Sequence, residues 1–225
     1  FSSCKNQSDA DKTNPFFSEY NTPFNVPPFE KIMAKHYMPA FEKGITEGRK
    51  DIQNLVKNQA EPDFDNTIGV LDKSGELLTR VSQVFFAQAS ANTNDSLQNI
   101  EMEISPKLAG YSDEIRLNPD LFKRVKQVYD NQGKFNLSPE QKFILENLYK
   151  EFVRNGANLN KADQDTLKKI NQRLSVLCVK FNQNVLEETN SYKLFVGKDG
   201  LAGLPESLVS TAAEASKAAG SEGEW

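Results

Sequence analysis

The sequence predicts an all-α fold, an elongated array of long antiparallel helices with at most one short strand near residues 192–196. Three observations predict it. Apolar residues recur at spacings of three and four along most of the chain. Helix-start signals, Asn118-Pro119 and Ser138-Pro139-Glu140-Gln141, stand just ahead of such runs. Period-2 alternation, the mark of a strand, is nearly absent. With 225 residues, 38% of them hydrophobic and 26% charged, the chain can bury a core while its helices keep one wet face.

Residues 1–27 are rich in Ser, Asn, Asp and Pro and read as a flexible tether followed by an extended strap. Phe16, Phe17, Tyr20 and Phe24 are the candidates to pin that strap, because Pro23, Pro27 and Pro28 forbid regular helix there. From about Lys35, Met38, Phe41, Ile45, Ile52, Leu55 and Val56 form a helical stripe, and Pro39 is expected in its first turn. After the break at NQAEPD, residues 64–95 read as one long helix. Ile68, Leu71, Leu78, Val81 and Phe85 form its packing face, and Gly75 holds a heptad position where a partner helix approaches closely.

Asp95 or Ser96 is expected to cap the next helix, with Ile100, Ile104 and Leu108 on one face. Asn118-Pro119 opens another, carrying Leu121, Phe122, Val125 and Val128. The capping box at Ser138 opens a third, carrying Phe143, Ile144, Leu148 and Phe152. Asn160 caps a last long helix of about 30 residues, roughly 45 Å at 1.5 Å per residue. Its face is Leu167, Ile170, Leu174, Leu177 and Phe181, continued by Val185. Tyr192, Leu194 and Val196 alternate as a short strand or extended connector. Pro205 restarts a helix. The chain opens on Phe1 rather than Met and closes on Trp225, its single tryptophan. Both ends read as cut points, the second ahead of further sequence, so residues 28–225 read as one truncated helical region.

The net charge of -4 argues against a nucleic-acid partner, which would favour a basic chain. No run of 18 apolar residues is present to span a bilayer. Two cysteines make no disulfide framework. Cys178, in RLSVLCVKF, reads as a buried thiol. Cys4, in FSSCKNQ, follows small residues and precedes a polar stretch. It is a candidate lipid-attachment residue of the bacterial lipoprotein kind, the alternative being an ordinary cysteine in a polar tail. A lipid there is the one route to a membrane that the sequence offers.

Little else speaks of chemistry. A zinc site built on HExxH needs two histidines one helical turn apart, and this chain has one. His36 reads as a polar first-turn residue. No phosphate-binding glycine loop is present. The carboxylates of ENLYKEF and NVLEETN sit at helical surface spacing and read as a solvated face. No catalytic and no metal-ligating residue is assigned.

Five stretches taken together carry a resemblance. They are FEKIMAKHYMPAFEKGI, FDNTIGVLDKSGELLTRVSQVFFAQASANTND, SPKLAGYSDEIRLNPDLFKRVKQVYD, LSPEQKFILENLYKEFVRNGANLNKADQDTLKKINQRLSVLCVKFNQNVLEETNSYKLFV and LAGLPESL. Over about residues 27–225 the chain resembles the thimet-oligopeptidase-like zinc metallopeptidases, most of all their bacterial peptidyl-dipeptidase branch. The resemblance implies a helical, two-lobed bacterial enzyme with a deep channel that admits short, unstructured peptides. It places the zinc, held by HExxH and a later Glu, in a C-terminal catalytic half whose positions this sequence does not contain.

On that reading the chain is the non-catalytic N-terminal part of a peptidyl-dipeptidase and forms part of the channel wall. Its partners are peptides and its own catalytic half, and its zinc lies outside the fragment. The expected location is the cell envelope, or alternatively the cytoplasm. The competing reading is a stand-alone helical lipoprotein that binds or scaffolds.

Overall fold

The computed structural model describes residues 14–221 and residue 225. Among these, seven helices of eight or more residues follow in order: α1 (Ala34–Lys57), α2 (Glu76–Ala91), α3 (Asp95–Arg116), α4 (Pro119–Asp130), α5 (Pro139–Arg154), α6 (Lys161–Ser191) and α7 (Glu206–Ala218). No β-strand occurs among the described residues, and the all-α expectation holds. The chain divides into two compact units, residues 1–181 and 182–225, and α6 runs from one into the other.

In the first unit α1 is the central element. Its apolar stripe places Tyr37, Phe41, Ile45, Ile52 and Leu55 in the interior. Tyr37 and Phe41 both meet the ring of Phe85 on α2, edge to face at 5.0 and 5.4 Å. Farther along α1, a Cβ on Gly44 would lie 2.9 Å from the Leu78 backbone. Numbers rise along α1 as they fall along α2, so this pair is antiparallel. Against α3 the sense reverses: Glu42 pairs with Lys107 and Arg49 with Glu114, so α1 and α3 run parallel. A second cluster joins Ile52 and Leu55 to Ile68, Leu121, Val125 and Phe152, closing α4 and α5 onto the far half of α1.

The strap is pinned as its aromatics predict, but by three of the four: half-buried Phe17 packs against the core with the Lys43 ammonium 4.1 Å from its ring. Phe16 is wholly buried and Tyr20 nearly so, while Phe24 is 98% exposed. Asn14 donates to the His36 carbonyl at 2.8 Å and Arg80 donates to the Phe16 carbonyl at 2.7 Å. The tether ahead of Asn14, with Cys4, lies outside the described residues.

Residues 64–95 do not form one helix. A π-helical turn, Phe64–Gly69, and a short turn, Val70–Asp72, precede α2, and Gly75 breaks the run in the left-handed region at φ +69°. Only glycine adopts that conformation at little cost, which is why the interruption falls there. The close approach expected at Gly75 does occur, and its partner is α1: a Cβ on Gly48 would lie 3.5 Å from the Gly75 Cα. The same Cβ would meet the Tyr111 hydroxyl at 2.0 Å. Ile68, Leu78, Val81 and Phe85 are still buried, delivered by two elements rather than one.

The caps at Asn118 and Ser138 form as the sequence predicts, and Asn160 accepts from the Asp163 N–H. Asn94, not Asp95 or Ser96, caps α3. Pro39 lies in the second turn of α1, so the carbonyl of Lys35, an exposed residue, forgoes its helical partner. On α5 the buried face is Leu145 and Phe152, whereas Phe143 and Ile144 are exposed.

The second unit holds the end of α6, an extended stretch from Tyr192, a turn at Lys198–Leu201, and α7. The alternation at 192–196 yields extended backbone with one reciprocal pair. The Val196 N–H donates to the Trp225 carbonyl at 2.7 Å and the Trp225 N–H to the Val196 carbonyl at 3.0 Å. That exchange is the repeating unit of antiparallel pairing.

Candidate functional site

The single histidine is committed to structure. Residue 36 is the third of α1, and its Nδ1 accepts the Met33 N–H at 3.1 Å, closing the open end of the helix. Burial, reinforced by neighbouring Lys35, holds its pKa below the ordinary imidazole value. The neutral ring that accepts this hydrogen bond is therefore the favoured form.

Cys178 is exposed on α6, against the expectation of a buried thiol. The reason is rotational: Val179, one residue on, takes the interior position. The carboxylates read as a solvated face are exposed. Glu146 pairs with Lys150, and Glu151 reaches across to Arg116. Among the described residues no three His, Cys, Asp or Glu side chains converge where they could hold a metal.

The most built surface feature is a groove of about 540 Å³ between α1 and α3. Arg49 grips Glu114 through two bonds, of 2.6 and 2.8 Å, and Lys107 bridges Glu42 and Glu103 at 3.1 and 2.9 Å. Burial raises the Tyr111 phenol at its floor, with Asp51 adding to the effect. Each cation here already faces a carboxylate. The groove is a clamp between two parallel helices and offers no free acid or base.

Arg124 escaped notice in the sequence, where it sits inside the apolar run LFKRVKQV. It is buried, and it donates to the Asn58 carbonyl at 2.7 Å and to Asn66 Oδ1 at 3.2 Å. It thereby fastens the break after α1 to the π-helical turn. A charged residue amid buried neighbours was the available signal.

No family model matches the chain. Individual proteins do. It is 39% identical over 213 residues to dipeptidyl carboxypeptidase of Escherichia coli (strain K12), covering 94% of this chain and 31% of that protein. The corresponding protein of Salmonella typhimurium is 37% identical over 95% of this chain and 32% of its own length. Oligopeptidase A of Escherichia coli is 29% identical over 94% of this chain and 31% of its own length. The chain is a homologue of the thimet-oligopeptidase family. It spans about a third of the length of the curated relatives it matches. The helices built on α1 lie within the stretch that the chain shares with these relatives.

Proposed function

We propose that this chain is the N-terminal, non-catalytic part of a zinc-dependent peptidyl-dipeptidase, an enzyme that removes C-terminal dipeptides from short peptides. In that enzyme it forms part of the wall of the substrate channel. One observation carries the reading: identity of 39% over 94% of the chain to a dipeptidyl carboxypeptidase that it covers only to 31%.

A peptidase zinc needs imidazole and carboxylate ligands converging with one position left for water. The described residues do not fit that requirement, since His36 is spent on a helix cap and no carboxylate set gathers around it. The zinc and the bond-breaking step are therefore assigned to sequence outside these 225 residues, and the role of this chain is mechanical. A wall that admits only unfolded peptides must hold its shape. The antiparallel α1–α2 contact and the paired α1–α3 clamp support that role. Cys4 is proposed as the lipid-attachment residue that holds the protein at the bacterial cell envelope.

The test is to express the full reading frame beside this chain and assay dipeptide release from short N-blocked peptides, with and without a chelator. The longer protein is expected to release dipeptides only without chelator, and the 225-residue chain to release none. Chelator-sensitive cleavage by the 225-residue chain itself would overturn the proposal.

A further inference from the structure

The four largest apolar residues at the centre of the α6 stripe are uncovered: Ile170 is 55% exposed, Leu174 54%, Leu177 50% and Phe181 67%. They repeat at i, i+4, i+7 and i+11, one line along a helix. Asn171, which donates to Asp113 at 2.7 Å, and Gln172, which abuts Gly110, mark the side turned towards α3. The stripe lies on the other side. A contiguous row of four such residues in water marks a surface that another surface covers.

One flank of the row carries Lys169, Arg173 and Lys180, all exposed. None of them has a carboxylate within ion-pair distance among the described residues. The other flank carries the exposed thiol of Cys178. An apolar line with a basic rail calls for a surface that is apolar with an acidic edge.

We infer that this face of α6 is a seam on which the rest of the longer protein docks, presenting such a surface. The occupant is argued from length: the relatives are about three times as long as this chain, and on the reading above the remaining two thirds would supply it. The inference rests on the reading above that the chain is part of such a protein.

Cys178 reports on the seam. Its alkylation by iodoacetamide, followed by mass spectrometry of the peptide containing it, is expected to be rapid in the 225-residue chain. In the longer protein it should be at least tenfold slower. Leu174→Glu in the longer protein should restore the rapid rate, and Arg173→Glu should accelerate labelling several-fold by setting a carboxylate against the acidic edge. Equal rates in the two proteins overturn the inference. So does protection in the 225-residue chain that rises with its own concentration, which would make a second copy the occupant. Dipeptide release measured on the same samples separates the two proposals. An active protein with unprotected Cys178 refutes the seam alone, and an inactive one with protected Cys178 refutes the peptidase reading alone.

Discussion

Helices α1 and α6 carry the same kind of sequence and meet different fates. Both are long, both place apolar residues at spacings of three and four, and both keep charges on the remaining positions. On α1 the stripe disappears into the core, with Phe41 wholly buried. On α6 it stands in water, with Phe181 67% exposed. The difference is not in the pattern. Helix α1 has glycines at 44 and 48, which let Leu78 and Tyr111 come to its backbone, and α2 and α3 are present to do so. Helix α6 turns its polar Asn171 to α3 and its apolar row outward. An amphipathic pattern states that a helix has a face to cover and is silent about what covers it.

The comparison can be broken most sharply at Phe41. Phe41→Ala should lower stability by about 3–5 kcal/mol in urea unfolding, because it empties a filled site against Phe85. A loss below about 1 kcal/mol would mean that α1 is no better packed than α6.

The glycine contact comes next. Gly44→Ala should cost roughly 1–3 kcal/mol, since the new methyl meets the Leu78 backbone rather than a movable side-chain end. Gly75→Ala should cost about 1–2 kcal/mol for a different reason, its positive φ. Gly75→Asn should cost less, because Asn tolerates the left-handed region. Equal losses for Ala and Asn in thermal unfolding would show that space, not backbone conformation, decides the site.

A smaller effect is expected at the start of α1. The folded state holds the His36 pKa below its unfolded value, so the unfolded chain binds the proton more readily. Stability from this group is present above the ordinary imidazole pKa and is lost as pH falls below it. The melting temperature should therefore drop less between pH 7.5 and 5.5 in His36→Gln than in the parent chain. An identical drop in both would remove the histidine from the account.

The smallest effect belongs to α6. Phe181→Ala in this 225-residue chain should change stability by no more than about 0.5 kcal/mol, as for an exposed position without partners. A larger loss would show that the row already has a cover.

By itself the sequence determined the helical class, the caps at Asn118, Ser138 and Asn160, and the aromatic pins of the strap, because these depend on local rules of periodicity, capping and proline geometry. It also determined the family resemblance, which the relatives bear out. Only the tertiary structure decided that residues 64–95 break at Gly75, that α1 and α3 run parallel, and that Arg124 is buried and fastens the break after α1. It likewise decided that Phe143 and Cys178 face water while Leu145 and Val179 face inward. Neighbouring positions differ by about 100° around a helix, so a stripe broad enough to include both leaves the inward direction open. That direction is settled by whichever partner arrives, and the partner comes from distant sequence that no local rule can read.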